Sequence, residues 1–104
     1  MIDVMVAYPN QNDLTFDDQY YLEKHVPLVE DNLGEHGLRY VRIHRGTDAA
    51  SPYHLMTHLG FDSAEAFESA FDAVGQTLMD DVPHFTNVEP VLQVSEVVTP
   101  SRAS

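Results

Sequence analysis

Phe16-Asp17-Asp18-Gln19-Tyr20-Tyr21-Leu22-Glu23-Lys24-His25-Val26-Pro27-Leu28-Val29-Glu30-Asp31-Asn32-Leu33 is the stretch around which the chain is organised. Read with a period near 3.6, Tyr21, His25, Leu28 and Asn32 fall on one line, flanked by Leu22, Val26, Val29 and Leu33. The segment is therefore an amphipathic helix whose apolar stripe carries one titratable ring, His25. Asp17 is placed to cap its first turn, and Asp18 sits at the positive end of its dipole. Pro27 has no N–H for the carbonyl of Glu23 and its ring collides with that carbonyl, so the helix is expected to kink or open there. Val26, as the residue before proline, is expected to leave helical angles. Gly34 or Gly37 supplies the stop.

On either side of this helix the period changes to two. Ile2, Val4, Val6 and Tyr8 alternate with Asp3, Met5 and Ala7 in a half-buried strand ended by Pro9 and Asn10. A second strand runs from Leu38 to Arg45 and closes at the turn Gly46-Thr47-Asp48. The third runs from Tyr53 to Phe61, with Tyr53, Leu55, Thr57, Leu59 and Phe61 on one face and His54, Met56, His58 and Gly60 on the other. A second helix follows, with Asp62 read as N-cap, Glu65 three positions later, and Ala64, Phe67, Ala70, Phe71, Val74 and Leu78 at helical spacing up to about Asp80. A loop, Asp81 to Asn87, leads to a last strand over Val88 to Val98, with Pro90 near its start on an edge. Residues 1–98 are expected to form one domain and 99–104 a frayed tail.

The order strand, helix, strand, strand, helix, strand is the split βαβ unit of ferredoxin-like α+β folds, with a four-stranded antiparallel sheet. Both helices then cover one face of the sheet. The bare face is expected to be covered by a symmetric second copy, a homodimer burying well over about 1,000 Å².

Composition narrows the chemistry. With 104 residues and no cysteine, there is room for one core and one site, and disulfides, thiolate nucleophiles and Cys-based metal sites are excluded. The longest apolar runs are a few residues with no cationic leader, so a cytoplasmic protein with no membrane span is expected. Five basic against seventeen acidic residues give a formal charge of −12, which disfavours nucleic acid and anionic membranes as partners. Lys24 is the one lysine, and the acids are dispersed, a pattern that fits either adaptation to high salt or an ordinary solvated acidic surface. The glycines are scattered, which excludes a phosphate-cradling loop, and no serine sits in a nucleophile elbow.

Three motifs then converge. Tyr20-Tyr21-x-x-x-His25-x-Pro27-Leu28, His58-Leu59-x-Phe61-Asp62-Ser63 leading into the Phe67 and Phe71 helix, and Phe85-Thr86-Asn87-x-Glu89-Pro90 together resemble the EthD family, named for a role in ethyl tert-butyl ether degradation. The resemblance spans nearly the whole chain. It implies a dimeric α+β barrel in which two ferredoxin-like sheets meet at a two-fold axis, with a cavity in each subunit. It also implies an oxidoreductase label, drawn from the family's setting beside an ether-degrading oxygenase, and it makes His25 the candidate catalytic residue.

On physical grounds His25 suits general acid–base work, since an imidazole titrates near pH 6.5. Tyr20 or Tyr21 could donate to a substrate oxygen or hold the ring in one tautomer. The competing structural reading is that His25 bonds a carbonyl freed by the Pro27 break. His58 is expected to line the same cavity or simply to pack. Phe85, Thr86 and Asn87 are further substrate-binding candidates, although Thr86 and Asn87 also suit loop capping. His54 and His58 are separated by roughly 13 Å along a strand, too far for one metal ion, so no metal and no cofactor are expected. Haem, which related barrels bind through one helix histidine, ranks below a small-molecule site.

Two functions of different class follow. In one the protein binds a small apolar, oxygen-bearing compound and uses His25 for proton transfer in an oxidation, isomerisation or elimination. In the other it is a carrier or accessory subunit of an oxygenase system with a structural His25. The inward ring and paired tyrosines favour the enzyme.

Overall fold

In the computed structural model, which describes residues 1–98, four strands form the platform for the site. They are β1 (Ile2–Pro9), β2 (Leu38–Arg45), β3 (Tyr53–Phe61) and β4 (Val91–Glu96), all antiparallel in the spatial order β2-β3-β1-β4. Ile2, Val4, Val6 and Tyr8 of β1 stand opposite Phe61, Leu59, Thr57 and Leu55 of β3. Since alternate residues point to opposite faces, these eight lie on the face that the helices cover. The other face carries Asp3, Met5, Met56 and His58, joined by Tyr40, Arg42 and His44 of β2. The expected ferredoxin-like architecture is thus observed. The expected loose tail at 99–104 lies outside the described residues.

The first helix is continuous but changes its winding. A short α1 (Asp18–Tyr20) passes into a π turn over Tyr21–His25 and then into α2 (Val26–Gly34). Asp17 caps it as expected, accepting from the Tyr20 N–H at 3.0 Å. The break arising from Pro27 takes a different form from the expected kink. Val26 keeps helical angles (φ −60°, ψ −47°), and its N–H reaches the Tyr21 carbonyl five residues back. Winding loosens in the turn before Pro27, and the proline then sits in the first turn of α2, where its missing N–H costs little. Gly37, just beyond the helix, takes φ +93°, a conformation that favours glycine.

The second helix, α3 (Ala64–Asp81), runs into a 3₁₀ turn, Val82–His84. Its N-cap is Ser63 rather than Asp62, because Ser63 Oγ accepts from the Ala66 N–H at 3.1 Å while Asp62 is taken by Arg39 of β2. The last strand is shorter than Val88 to Val98. Pro90 cannot donate to the ladder, so pairing with β1 begins at Val91, and Val88 instead packs into the core.

Buried side chains form two clusters. One joins Val4, Val29, Leu33, Leu59, Phe61 and Phe67 under the middle of the helices. The other gathers Tyr8, Tyr21, Leu55, Val82, Phe85 and Val88 where the π turn meets the end of α3. His25 sits in that second region, 5% exposed. None of the described helices is long and apolar enough to cross a membrane.

Candidate active site

The site exists because two distant loops are tied together. Phe16 and Thr86 form an isolated antiparallel bridge, the Asp17 N–H donates to the Phe85 carbonyl at 2.7 Å, and Thr86 Oγ1 donates to the Thr15 carbonyl at 2.8 Å. Asn87 completes the clasp, accepting from the Thr15 N–H at 2.9 Å and donating to the Asp13 carbonyl at 2.8 Å. The start of the first helix is thereby held against the end of α3. On α3 the buried stripe Phe67, Ala70, Phe71, Val74 and Leu78 continues at helical spacing to Asp81, so this stripe ends in a carboxylate aimed at the π turn.

There it meets His25. The ring Nδ1 lies 2.9 Å from Asp81 Oδ2, and the Tyr20 hydroxyl donates to Asp81 Oδ1 at 2.8 Å. Tyr21 stacks on the imidazole with centroids 5.3 Å apart, and the Phe85 ring packs against both, 4.7 Å from the imidazole centroid and 5.1 Å from that of Tyr21. Burial lowers the His25 pKa from its ordinary value and outweighs the upward pull of Asp81. Burial pushes the Asp81 carboxyl up, but the hydrogen bonds from His25 and Tyr20 prevail and hold it below the usual carboxylate range. At neutral pH the pair is a neutral imidazole beside a carboxylate, with the Nδ1 proton donated to Asp81. That bond fixes the tautomer and leaves the Nε2 lone pair free. Among the described residues Nε2 has no hydrogen-bond partner, and since every fully buried polar side-chain atom there is paired, Nε2 is not completely enclosed.

His25 lines a narrow cavity between the sheet and the helices. It is walled by Val29, Leu59, Phe71, Leu78 and Val82, and its polar groups come from Tyr8, Tyr21, His25 and Thr57. About 40 Å³ is open to the centres of water-sized molecules, room for roughly three waters. The hydroxyls of Tyr21 and Thr57 are hydrogen-bonded to each other. Burial raises the pKa of Tyr21, and burial with the neighbouring Tyr21 raises that of Tyr8, so both phenols stay protonated and can donate. The cavity lining therefore combines a base, His25, with the hydroxyls of Tyr21 beside it on the first helix and of Tyr8 and Thr57 on the sheet, among apolar side chains.

The structure sorts the residues expected from sequence. His25 and Tyr21 line the cavity. Tyr20 is not among the lining residues and reaches His25 only through Asp81, which does not line the cavity either. Phe85 packs behind His25 among Tyr8, Phe16 and Tyr21. Thr86 and Asn87 are occupied by the clasp. His58 does not share the cavity. It follows Thr57 on β3, and strand alternation sends it to the opposite face, where its Nδ1 bonds Asp3 at 2.8 Å. His54, on the same outer face, bonds Asp18 at 2.7 Å. Among the described residues no group of three or more His, Asp or Glu side chains is arranged to hold a metal ion. Two site residues were not anticipated, Asp81 and Thr57. The signals were an acid continuing an apolar helical stripe and a hydroxyl on an otherwise apolar strand face.

Comparison with known proteins agrees with this fold. The EthD domain matches residues 11–89. An EthD-like protein from Ralstonia eutropha JMP134 is similar in structure, with a TM-score of 0.84 and 33% identity over 97% of this chain and 95% of that one. An ethyl tert-butyl ether degradation (EthD) family protein from Bacillus halodurans C-125 superposes with a TM-score of 0.65 and 21% identity, covering 92% of this chain and 97% of that one. A dimeric ferredoxin-like protein from an uncultured marine organism shares the fold, with a TM-score of 0.58 and 14% identity over 98% of each chain. No curated protein matched the chain. On the extent of the domain match and the identity to the Ralstonia protein, the chain belongs to the EthD family.

Proposed function

We propose that this EthD-family protein is a small acid–base enzyme, acting on an apolar, oxygen-bearing compound in which His25 Nε2 removes a proton from a C–H or O–H group. The observation that carries the reading is the Tyr20–Asp81–His25 chain, which engages Nδ1 and ends in a ring that lines an apolar cavity. As Nε2 takes the proton, the imidazolium is stabilised by the Asp81 carboxylate. The substrate anion left behind carries its charge on oxygen, which the one hydroxyl hydrogen of the Tyr21–Thr57 pair not used between them can solvate. Returning the proton elsewhere gives isomerisation, and losing a leaving group gives elimination.

The protein works as a homodimer in this reading. The bare sheet face, which Val91 shares, and the exposed Leu92 and Val94 on the helix side of the edge strand β4 support a second copy as cover. Light scattering at micromolar concentration should give twice the chain mass, and a monomer at both low and high salt would refute it.

Proton transfer is tested by deuterium exchange from solvent into a panel of small aryl and cyclic ketones, followed by NMR. His25→Gln keeps size and hydrogen bonding but removes the titratable group, so exchange should fall by roughly 10² to 10⁴ while the fold is retained. A folded His25→Gln protein that exchanges as fast as the wild type would overturn the assignment. Binding without exchange in the wild type would make the protein a carrier.

A further inference from the structure

Resting on the reading of His25 as the reacting group, we infer that the substrate has two parts, a compact oxygen-bearing head that enters the cavity and an apolar extension that lies outside it in a second groove. The cavity alone is too small for a whole metabolite, with about 40 Å³ open to water-sized molecules. Beside it runs a groove with about 360 Å³ so defined, formed where α3 ends and the chain turns back toward β4. The two are neighbours: Met79 and Val82 line both, so these two side chains are what separates a molecule seated against His25 from the groove, and in this proposal the extension crosses there.

The chemistry of the groove selects what lies in it. Its surfaces come chiefly from Met79, Val82, Pro83, Val88 and Pro90. Its neutral polar residues, Thr86 and Asn87, have the hydroxyl and both amide atoms engaged in the clasp to Thr15 and Asp13, so they offer a ligand little. Glu89 is exposed and, with the chain's net charge of −12, disfavours an anionic extension. A neutral alkyl or aryl group is what remains. Met79 is a third exposed and flexible, suited to shaping itself around such a group or covering the passage when it is empty.

A homologous series of 4-n-alkylphenols, from ethyl to heptyl, tests this with the wild-type protein. Binding is measured by calorimetry and by the NMR shift of the His25 ring. The short phenols should perturb His25, and affinity should rise roughly three- to fourfold per added methylene until the groove is filled. Met79→Glu, which places a charge at the shared wall, should flatten that dependence on chain length. If short phenols perturb His25 but affinity is independent of chain length, the groove assignment falls and the reading of the cavity stands. If no member of the series binds or perturbs His25, both fall. The wild-type series decides even if Met79→Glu fails to fold.

Discussion

Replacing Asp81 by Asn tests the electrostatic core of the site, because it keeps the shape of the side chain and removes its charge. The carboxylate accepts two hydrogen bonds, from His25 Nδ1 at 2.9 Å and from the Tyr20 hydroxyl at 2.8 Å. Asn can accept one of them through its oxygen, while its NH₂ must meet the other group as a donor, a role the Tyr20 hydroxyl can accommodate by rotating. Hydrogen bonds to charged groups contribute about 1.5 to 3 kcal/mol and neutral ones about 0.5 to 1.5, so the exchange should cost about 1 to 2 kcal/mol. The lower part of the range is appropriate, since the Asp81 side chain is 15% exposed and keeps some contact with water. For a domain of this size that corresponds to a fall in Tm of about 5 to 15 °C. The His25 ring reports the coupling independently. Asp81 pulls its pKa up against the larger effect of burial, so in Asp81→Asn the ring should titrate at a lower pH than in the wild type. Urea unfolding measures the first quantity and the NMR titration of His25 the second. A His25 titration that stays put or moves upward in Asp81→Asn would refute the pairing on which the mechanism depends.

Acid should unfold the protein in two stages. The His25 pKa in the fold lies below its unfolded value of 6.5, so the associated stability is present above pH 6.5 and is lost as pH falls from there through the folded value; His25→Gln should remove this first limb from a plot of Tm against pH. Asp81, depressed below 3.8, adds a second loss below that pH, which Asp81→Asn should abolish. Gly60→Ala should destabilise by about 1 to 3 kcal/mol in urea unfolding, because the new Cβ would meet the Tyr40 ring at 2.0 Å and displace it from its hydrogen bond to Asp3; an unchanged midpoint would show that the ring does not rest there. If the dispersed acidity is an adaptation to salt, Tm should rise substantially between dilute buffer and molar potassium chloride, since the sequence carries a formal charge of −12 and the described residues offset it with few ion pairs, such as Arg39–Asp62 and Arg45–Asp18; a flat response would remove that reading.

The fold was readable because its signals are local. Alternation fixed which residues of β1 and β3 face the helices, and β2 and β3 have the expected bounds. Where local rules competed, tertiary contacts decided. Asp62 and Ser63 are both good caps, and Arg39 on the neighbouring strand draws Asp62 away. Pro27 forbids one hydrogen bond but does not say which turn will adjust. Packing of Tyr21 and His25 against the core puts the adjustment upstream, as a π turn, because both rings can then stay buried.

The site was only half readable, for a reason of the same kind. His25 announces itself as a polar ring on an apolar stripe, but its meaning depends on a carboxylate 56 residues away. No spacing rule joins the two, since their approach follows from the clasp between 15–17 and 85–87 that closes the helices onto one end of the sheet. The misplacement of His58 has the opposite origin. The face assignment that puts Thr57 inward requires its neighbour to point outward, so strand geometry already separated His58 from His25. Asp81 lies between these cases. An acid three residues beyond Leu78 continues the buried stripe of α3, and burying a carboxylate without partners is costly enough that such a position calls for donors nearby. The donors are His25 and Tyr20, both from the stretch that organises the chain. Thus the acid that looks misplaced on α3 and the imidazole that looks misplaced on the first helix account for one another.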